Sequence, residues 1–303
     1  AIGSVYWNNR LFNLTGDVKY YDVLERTMYN GLISGISLKG TEFFYPNALE
    51  SDGKYLFNRG ACTRQGWFDC SCCPTNLIRF IPAIPGLIYA TEKDVLYVNL
   101  YMSNTADVAL ANNIVKVAQQ TNYPWDGKVS VAVTPEKEGS FTLKFRIPGW
   151  ARNEVMPGGL YSYKGNVKAQ PALTVNGKKT AATVADGYYV VTRSWKKGDV
   201  VALDFPMEVR EVLASDKITD DRGKVSLEYG PLVYTVEQAD NADVNAITIS
   251  NTTTFKLKKQ PKLLNGIYTI EGKTGKQKFT AIPYYTWSNR GVGEMKVWLP
   301  ETK

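Results

Sequence analysis

Trp67-Phe68-Asp69-Cys70-Ser71-Cys72-Cys73-Pro74-Thr75-Asn76 holds three of the four cysteines of this 303-residue chain, and the fourth, Cys62, lies just upstream. Pro74 suits the first position of a helix, where its missing N–H leaves no hydrogen bond unmade. Leu77, Phe80 and Ile81 then fall on one helical face, and Pro82 and Pro85 close the helix after about two turns. The spacing therefore predicts Cys72 and Cys73 at a helix N-terminus. The partial positive charge there favours thiolate over thiol, and a thiolate is both the nucleophilic and the metal-binding form of cysteine.

A disulfide between Cys72 and Cys73 is disfavoured, because neighbouring Cα atoms stand about 3.8 Å apart and ordinary disulfides need roughly 4.4–6.8 Å. Cys70 and Cys73 also form a C-x-x-C pair, which suits a redox couple or half of a zinc site. The redox version expects a βαβ setting, and the sequence shows none. Burial as small hydrophobes is the bland alternative, but an adjacent pair at a helix start is a costly arrangement to keep for packing alone.

Composition narrows the chemistry. The length suits two or three domains. With 44% hydrophobic and 21% charged residues, the chain can fill real cores and is not disordered. The net charge is +7, yet the lysines and arginines read as scattered singly, without a run or stripe, which predicts no nucleic-acid partner. No apolar stretch approaches the roughly 20 residues of a membrane span. Aromatics are 12%, including 19 Tyr and 7 Trp, which suits sugar-stacking platforms or, more commonly, β-sandwich cores. There is no histidine. That excludes Ser-His and Cys-His catalysis within the chain, and any metal site must use cysteine and carboxylate.

Outward from the cysteines, the N-terminal side reads as helical. Val5, Trp7, Leu11 and Leu14 make a loose helical pattern stopped by Gly16, and Asp17 can cap a second helix that carries Tyr20, Val23, Leu24 and Met28 and closes at Gly31. Residues 32–47 read as extended, and 50–64 as a polar loop. Ala1-Ile2-Gly3-Ser4-Val5 has no Met, signal or cap and reads as the interior of a helix. From about residue 90 the period becomes two. Strands are expected over Leu96–Met102, Val129–Val133, Phe141–Ile147, Tyr188–Thr192 and Val200–Phe205, with a hairpin turn at Asn176-Gly177. A second set covers Val209–Leu213, Val225–Tyr229, Leu232–Val236, Tyr268–Glu271, Phe279–Pro283 and Met295–Leu299. The fold expected is mainly β with a short α-helical N-terminal segment, divided as 1–89, 90–206 and 207–303, the last two each a β-sandwich.

Several of these blocks resemble the β-L-arabinofuranosidases of glycoside hydrolase family 127 and the related family 146. They are Leu24-Glu25-Arg26-Thr27-Met28-Tyr29-Asn30-Gly31 with Ser34-Gly35-Ile36-Ser37, Phe43-Phe44-Tyr45 with Asn47, and Trp67-Phe68 with Cys70-x-Cys72-Cys73-Pro74. Near the C-terminus they are Ala281-Ile282-Pro283-Tyr284-Tyr285-x-Trp287, Asn289-Arg290-Gly291 and Met295-x-Val297-Trp298. The resemblance implies an (α/α)6 barrel followed by two β-sandwiches, of which this chain would hold only the barrel's C-terminal part. It implies a zinc ion held by one Glu and three cysteines, a cysteine nucleophile acting with retention, and a separate Glu as acid/base. By position, Cys72 would be nucleophile and zinc ligand, Cys73 a zinc ligand, and Tyr45 a sugar-pocket residue. The remaining ligands, in a Glu-x-Cys block, and the acid/base Glu would lie before Ala1.

The expected function is thus the C-terminal part of a retaining glycosidase acting on β-L-arabinofuranosides of plant-type glycans, inactive by itself and weak or empty in zinc. One alternative is a non-catalytic carbohydrate-binding pair of sandwiches with structural cysteines. Another is a small zinc or redox module fused to β-domains. Asp69 is the nearest substitute ligand, though a loop or capping acid is the commoner role. Trp67 could stack on a sugar or fill a core. Missing barrel helices would leave Val5, Trp7, Leu11, Val23 and Leu24 exposed and prone to self-association. The resemblance is compatible with periplasmic or secreted bacterial glycan degradation, but the sequence itself assigns no compartment.

Overall fold

The computed structural model describes residues 1–180 and 182–302. Two helices form an N-terminal hairpin, α1 (Ile2–Thr15) and α2 (Lys19–Arg26). Gly16 ends α1 in the left-handed region at φ 70°, with its N–H on the Phe12 carbonyl at 2.7 Å, a conformation glycine reaches without a Cβ penalty. Asp17 Oδ1 accepts the Lys19 N–H at 3.0 Å. The second helix does not close at Gly31 as the spacing predicts. It widens into a π turn over Thr27–Leu32 and a 3-10 turn at Ile33–Gly35. The cause is Asn30, whose amide donates to the Arg26 carbonyl and to the Pro231 carbonyl, each at 2.9 Å. A side chain inserted into the i−4 ladder opens it locally.

Residues 36–68, read as partly extended, contain only the bridges Ile36–Phe43 and Phe43–Gln65 and a short strand, Glu50–Asp52. The helix α3 spans Cys72–Phe80 and runs into a 3-10 segment, Ile81–Leu87. Pro74 is its third residue rather than its first, still inside the turn whose N–H groups have no intrahelical partner.

The middle of the chain builds two sheets over one core. A five-stranded sheet orders Thr183–Ala185, Tyr188–Trp195, Gly139–Arg146, Val95–Val98 and Tyr89–Glu92. A six-stranded sheet orders Lys178–Lys179, Ala172–Val175, Asp199–Asp204, Lys128–Pro135, Ile114–Thr121 and Asn104–Ala109. Leu143, Phe145 and Trp195 of the first bury against Val117, Val131 and Val201 of the second. The Asn176-Gly177 turn closes with φ of 51° and 72°, both positive as a type I′ hairpin requires. The strand at Asn104–Ala109 has no alternating apolar face to announce it, since none of its side chains is fully buried.

The residues after 208 hydrogen-bond into one branched eleven-stranded sheet, which also recruits Glu50–Asp52 and Tyr161–Tyr163. Its far edge is the antiparallel run Gln277–Pro283, Ile267–Thr274, Thr254–Gln260. The strand expected at Met295–Leu299 is split into Glu294–Lys296 and Leu299–Thr302.

Charge clamps the helices to the sheets. Arg146, fully buried on the five-stranded sheet, donates to Asp22 Oδ1 at 2.9 Å and Glu25 Oε1 at 2.5 Å, both on α2. Arg152 adds a bond to Asp22 Oδ2 at 2.6 Å, and the Tyr123 hydroxyl donates to Glu25 Oε1 at 2.8 Å. Arg26 pairs with Glu228 of the C-terminal sheet, and the Asn30 Oδ1 accepts the Val233 N–H at 2.8 Å.

The apolar helix face is less open than the sequence predicts. Val5 and Leu24 are fully buried in a cluster with Phe12, Tyr21 and Tyr97, and Leu11 and Val23 are half-buried. Only Trp7 of the five projects into solvent, beside Tyr6 and Leu14.

Removing one partner of a buried charge cluster strands the others without solvent. Arg146→Ala is expected to lower unfolding free energy by about 3–5 kcal/mol, read by urea denaturation. Lys19→Ala, which breaks the exposed Asp17 pair and a surface contact with the Tyr20 ring, should leave the midpoint unchanged.

Candidate active site

The site begins where α3 starts. Ser71 occupies the N-cap position and Cys72 and Cys73 the first turn. Both thiols are solvent-exposed, neither is in a disulfide, and their sulfurs lie 3.9 Å apart. Cys70 is also free and exposed, whereas Cys62 is buried against the Gly53 carbonyl at 3.4 Å. Cys62 is therefore a packing residue, and Cys70 and Cys73 of the C-x-x-C pair are both free thiols.

Tyr45 closes over the pair. Its hydroxyl sits 3.6 Å from Cys72 Sγ and donates to the Cys70 carbonyl. The ring packs edge-on to Phe68 at 4.6 Å, and the Arg59 guanidinium lies over it at 4.4 Å. Its backbone N–H is fixed by Asn58 Oδ1 at 2.9 Å. So the structure brings together Tyr45, Cys72 and Cys73 from segments 27 residues apart.

The two thiols are not equivalent. The Tyr45 hydroxyl, then Cys70 and Cys73, hold the Cys72 thiol below the usual cysteine range. Partial burial and the neighbouring Cys72 push Cys73 up. The contact with Cys72, with burial added, also keeps the Tyr45 phenol protonated well above its ordinary range. The Tyr45 hydroxyl has one proton to give, and the Cys70 carbonyl and the Cys72 sulfur are its two alternative acceptors.

The loop that carries the cysteines is anchored at a distance. Arg64 is buried and gives two bonds to the Ser34 carbonyl, at 3.1 and 2.8 Å, one to the Trp287 carbonyl at 2.5 Å and one to the Tyr285 carbonyl at 3.3 Å. The Phe44 ring lies beneath its guanidinium at 4.3 Å and stacks on Trp287 at 5.0 Å. Asn47 accepts from the Ser34 hydroxyl at 2.8 Å, and Asn289 from the Leu38 N–H at 2.9 Å. Pro283–Gly291 is thus a buttress for the cysteine loop. Sequence reasoning missed Arg64, Asn58 and Arg59, which sit in a polar loop with no periodic signal. Trp67, undecided from sequence, is 72% exposed and outside any core.

Two thiolates on one tetrahedral zinc ion at ~2.3 Å each stand roughly 3.8 Å apart, and the Cys72–Cys73 separation of 3.9 Å fits that edge. Among the described residues no three His, Cys, Asp or Glu side chains gather to hold an ion. Asp69 is exposed and does not join the pair. The spacing of the pair is compatible with one edge of such a site, and the described residues supply no further ligand to it.

Comparison with known proteins places these segments. Residues 1–86 match the catalytic-domain model of GH127 β-L-arabinofuranosidase, 95–207 its middle-domain model, and 209–300 the family 127 C-terminal-domain model. A non-reducing end β-L-arabinofuranosidase of Bifidobacterium longum subsp. longum is 33% identical over 95% of this chain and 46% of its own length. The solved structure of BT3674, a GH127 β-arabinofuranosidase, superposes with TM-score 0.92 at 45% identity, over 99% of this chain and 48% of that one. A GH127 β-L-arabinofuranosidase from Geobacillus stearothermophilus T6 gives 0.87 at 37% identity, over 99% and 49%. The chain thus spans about half the length of the relatives it matches. With three models of a single family following one another along residues 1–300, the chain belongs to glycoside hydrolase family 127.

Proposed function

We propose that residues 1–303 are the nucleophile-bearing part of a retaining β-L-arabinofuranosidase acting on plant-type glycans. The observation that carries this reading is the exposed Cys72–Cys73 pair at the start of α3, with the Tyr45 hydroxyl 3.6 Å from Cys72 Sγ, inside the segment matched by the catalytic-domain model. In this reading residues 1–89 are the end of an (α/α)6 barrel, and 90–206 and 207–303 are two β-sandwich modules that support it. The alternative, a carbohydrate-binding protein with structural cysteines, accounts less well for thiols that are exposed and unequal.

The chemistry follows from the residues. Cys72 Sγ attacks the anomeric carbon of the arabinofuranose and holds it as a thioglycoside, while the departing oxygen takes a proton from a carboxylic acid. Tyr45 lines the sugar pocket, with its hydroxyl beside the nucleophile. Cys72 and Cys73 would hold zinc, which when bound keeps thiolate at neutral pH and makes sulfur a better leaving group in the second step. The other two ligands and the acid/base carboxylate come from outside these residues, so the chain alone is inactive.

In the whole enzyme, Cys72→Ser is expected to leave the fold intact and reduce turnover of an aryl β-L-arabinofuranoside below roughly 1%, because a serine hydroxyl has no comparable anion at neutral pH. Cys73→Ser should lower zinc content and activity together. Retained turnover in Cys72→Ser removes Cys72 as nucleophile.

The 303-residue chain by itself should hold well under one zinc ion, since a structural site needs about four ligands, and it should show no turnover. Elemental analysis and the aryl glycoside assay read both. Stoichiometric zinc with turnover would mean that the site is complete within the chain and the ligand assignment is wrong.

A further inference from the structure

The lysines that read as scattered along the sequence are gathered by strand register. Residues 254–280 contain seven lysines and a single acidic residue, Glu271, and so account for six of the seven net positive charges of the chain. Lys256 stands opposite Glu271, Lys258 opposite Thr269, and Lys273 directly opposite Lys278. Side chains alternate along a strand, so Lys256, Lys258, Lys273 and Lys278 share one face of the sheet edge, with Glu271 between them. Lys258 takes that carboxylate, at 2.8 Å. Lys256, Lys273 and Lys278 are exposed and have no carboxylate within ion-pair distance among the described residues. The same three line a groove of about 810 Å³ with Thr254, Thr280 and two carboxylates that are already paired, Glu271 with Lys258 and Asp240 with Arg290.

Lysine on an edge strand is a common guard against edge-to-edge aggregation. That accounts for Lys256 and Lys258 on the terminal strand. It does not account for Lys273 and Lys278, which lie on the two inner strands and form a like-charge cross-strand pair, an arrangement that is itself unfavourable.

We propose that this face is a binding surface for a polyanionic, uronate-bearing polysaccharide. The inference rests on the glycosidase reading above and extends it to the kind of glycan that is held. Carboxylates repeated along a chain can each meet one ammonium point charge. Single-stranded nucleic-acid surfaces add exposed stacking aromatics, and this face presents none, since Phe255 alternates to the other side of the strand and packs against the core. Several weak ion pairs engaged at once raise apparent affinity without a deep pocket.

The test is native affinity electrophoresis of the 303-residue chain in gels containing polygalacturonate, neutral linear arabinan or duplex DNA. Polygalacturonate should retard it, and the retardation should vanish as salt rises from ~0.02 to ~0.3 M. The triple variant Lys256→Gln/Lys273→Gln/Lys278→Gln should bind about tenfold more weakly, the scale of three exposed ion pairs lost together. Lys178→Gln/Lys179→Gln/Lys197→Gln removes equal charge from another sheet edge and from the turn after Trp195, and should bind like the unaltered chain. Equal losses in the two triple variants would reduce the effect to net charge and overturn the proposal. So would absent retardation, or tighter retention by DNA than by polygalacturonate. Because the readout is binding, it is independent of whether Cys72 is the nucleophile.

Discussion

The helices behind the cysteine pair are held by one buried cation. Arg146 sits in the sheet core without solvent and is held there only by Asp22 and Glu25 from α2, with the Asn99 carbonyl at 2.6 Å. Burying a guanidinium costs several kcal/mol, of order 3–5 when a partner is lost, and the attraction offsets this only with partners in good geometry. Helix α2 is therefore locked in place on the five-stranded sheet. From α2, the Tyr21 hydroxyl reaches the Leu87 carbonyl at 2.9 Å, where α3 and its 3-10 extension end, and bonds to Asn9 Oδ1 on α1 at 3.0 Å. Tyr6 of α1 meets Phe80 of α3 edge-on at 5.1 Å. One end of α3 is thus tied back to Arg146, while the other end, with the cysteines, is tied by Arg64 to the turn at Tyr284–Thr286.

That arrangement separates rigidity from reactivity. The anchors are buried arginines bonded to carbonyls and carboxylates, whereas Cys72, Cys73 and Trp67 face solvent. A nucleophile at a helix start needs an open approach and a fixed direction. The first comes from exposure, and the second from the short turn between Ser71 and Thr75, whose hydroxyl donates to the Ser71 carbonyl at 2.8 Å.

Much of this was legible in the sequence, and the limits have physical causes. The helix at Cys72–Phe80, the hairpin at Asn176-Gly177 and the alternating strands of the middle region follow from local period and turn chemistry, so they could be read residue by residue. The loop from 36 to 68 could not, because its partners lie far away in the chain: Leu38 bonds to Asn289 and Arg64 to Trp287. The burial of Val5 and Leu24 escaped for the same reason. The lysine face is the clearest case, since its members are up to 22 positions apart and only the strand register puts Lys256, Lys273 and Lys278 together. At the site, the adjacency of Cys72 and Cys73 was plain, Tyr45 came from family resemblance, and the difference in acidity between the two thiols emerged only with the Tyr45 contact.

In the proposed reaction Cys72 forms the covalent bond to the sugar. The direct measurement is acid quenching of the whole enzyme during turnover of an activated β-L-arabinofuranoside, followed by fragmentation of the cysteine-bearing peptide in a mass spectrometer. A pentosyl adduct is expected on Cys72 and none on Cys73. A pentosyl group carried by an aspartate or glutamate, or by Cys73, would contradict it.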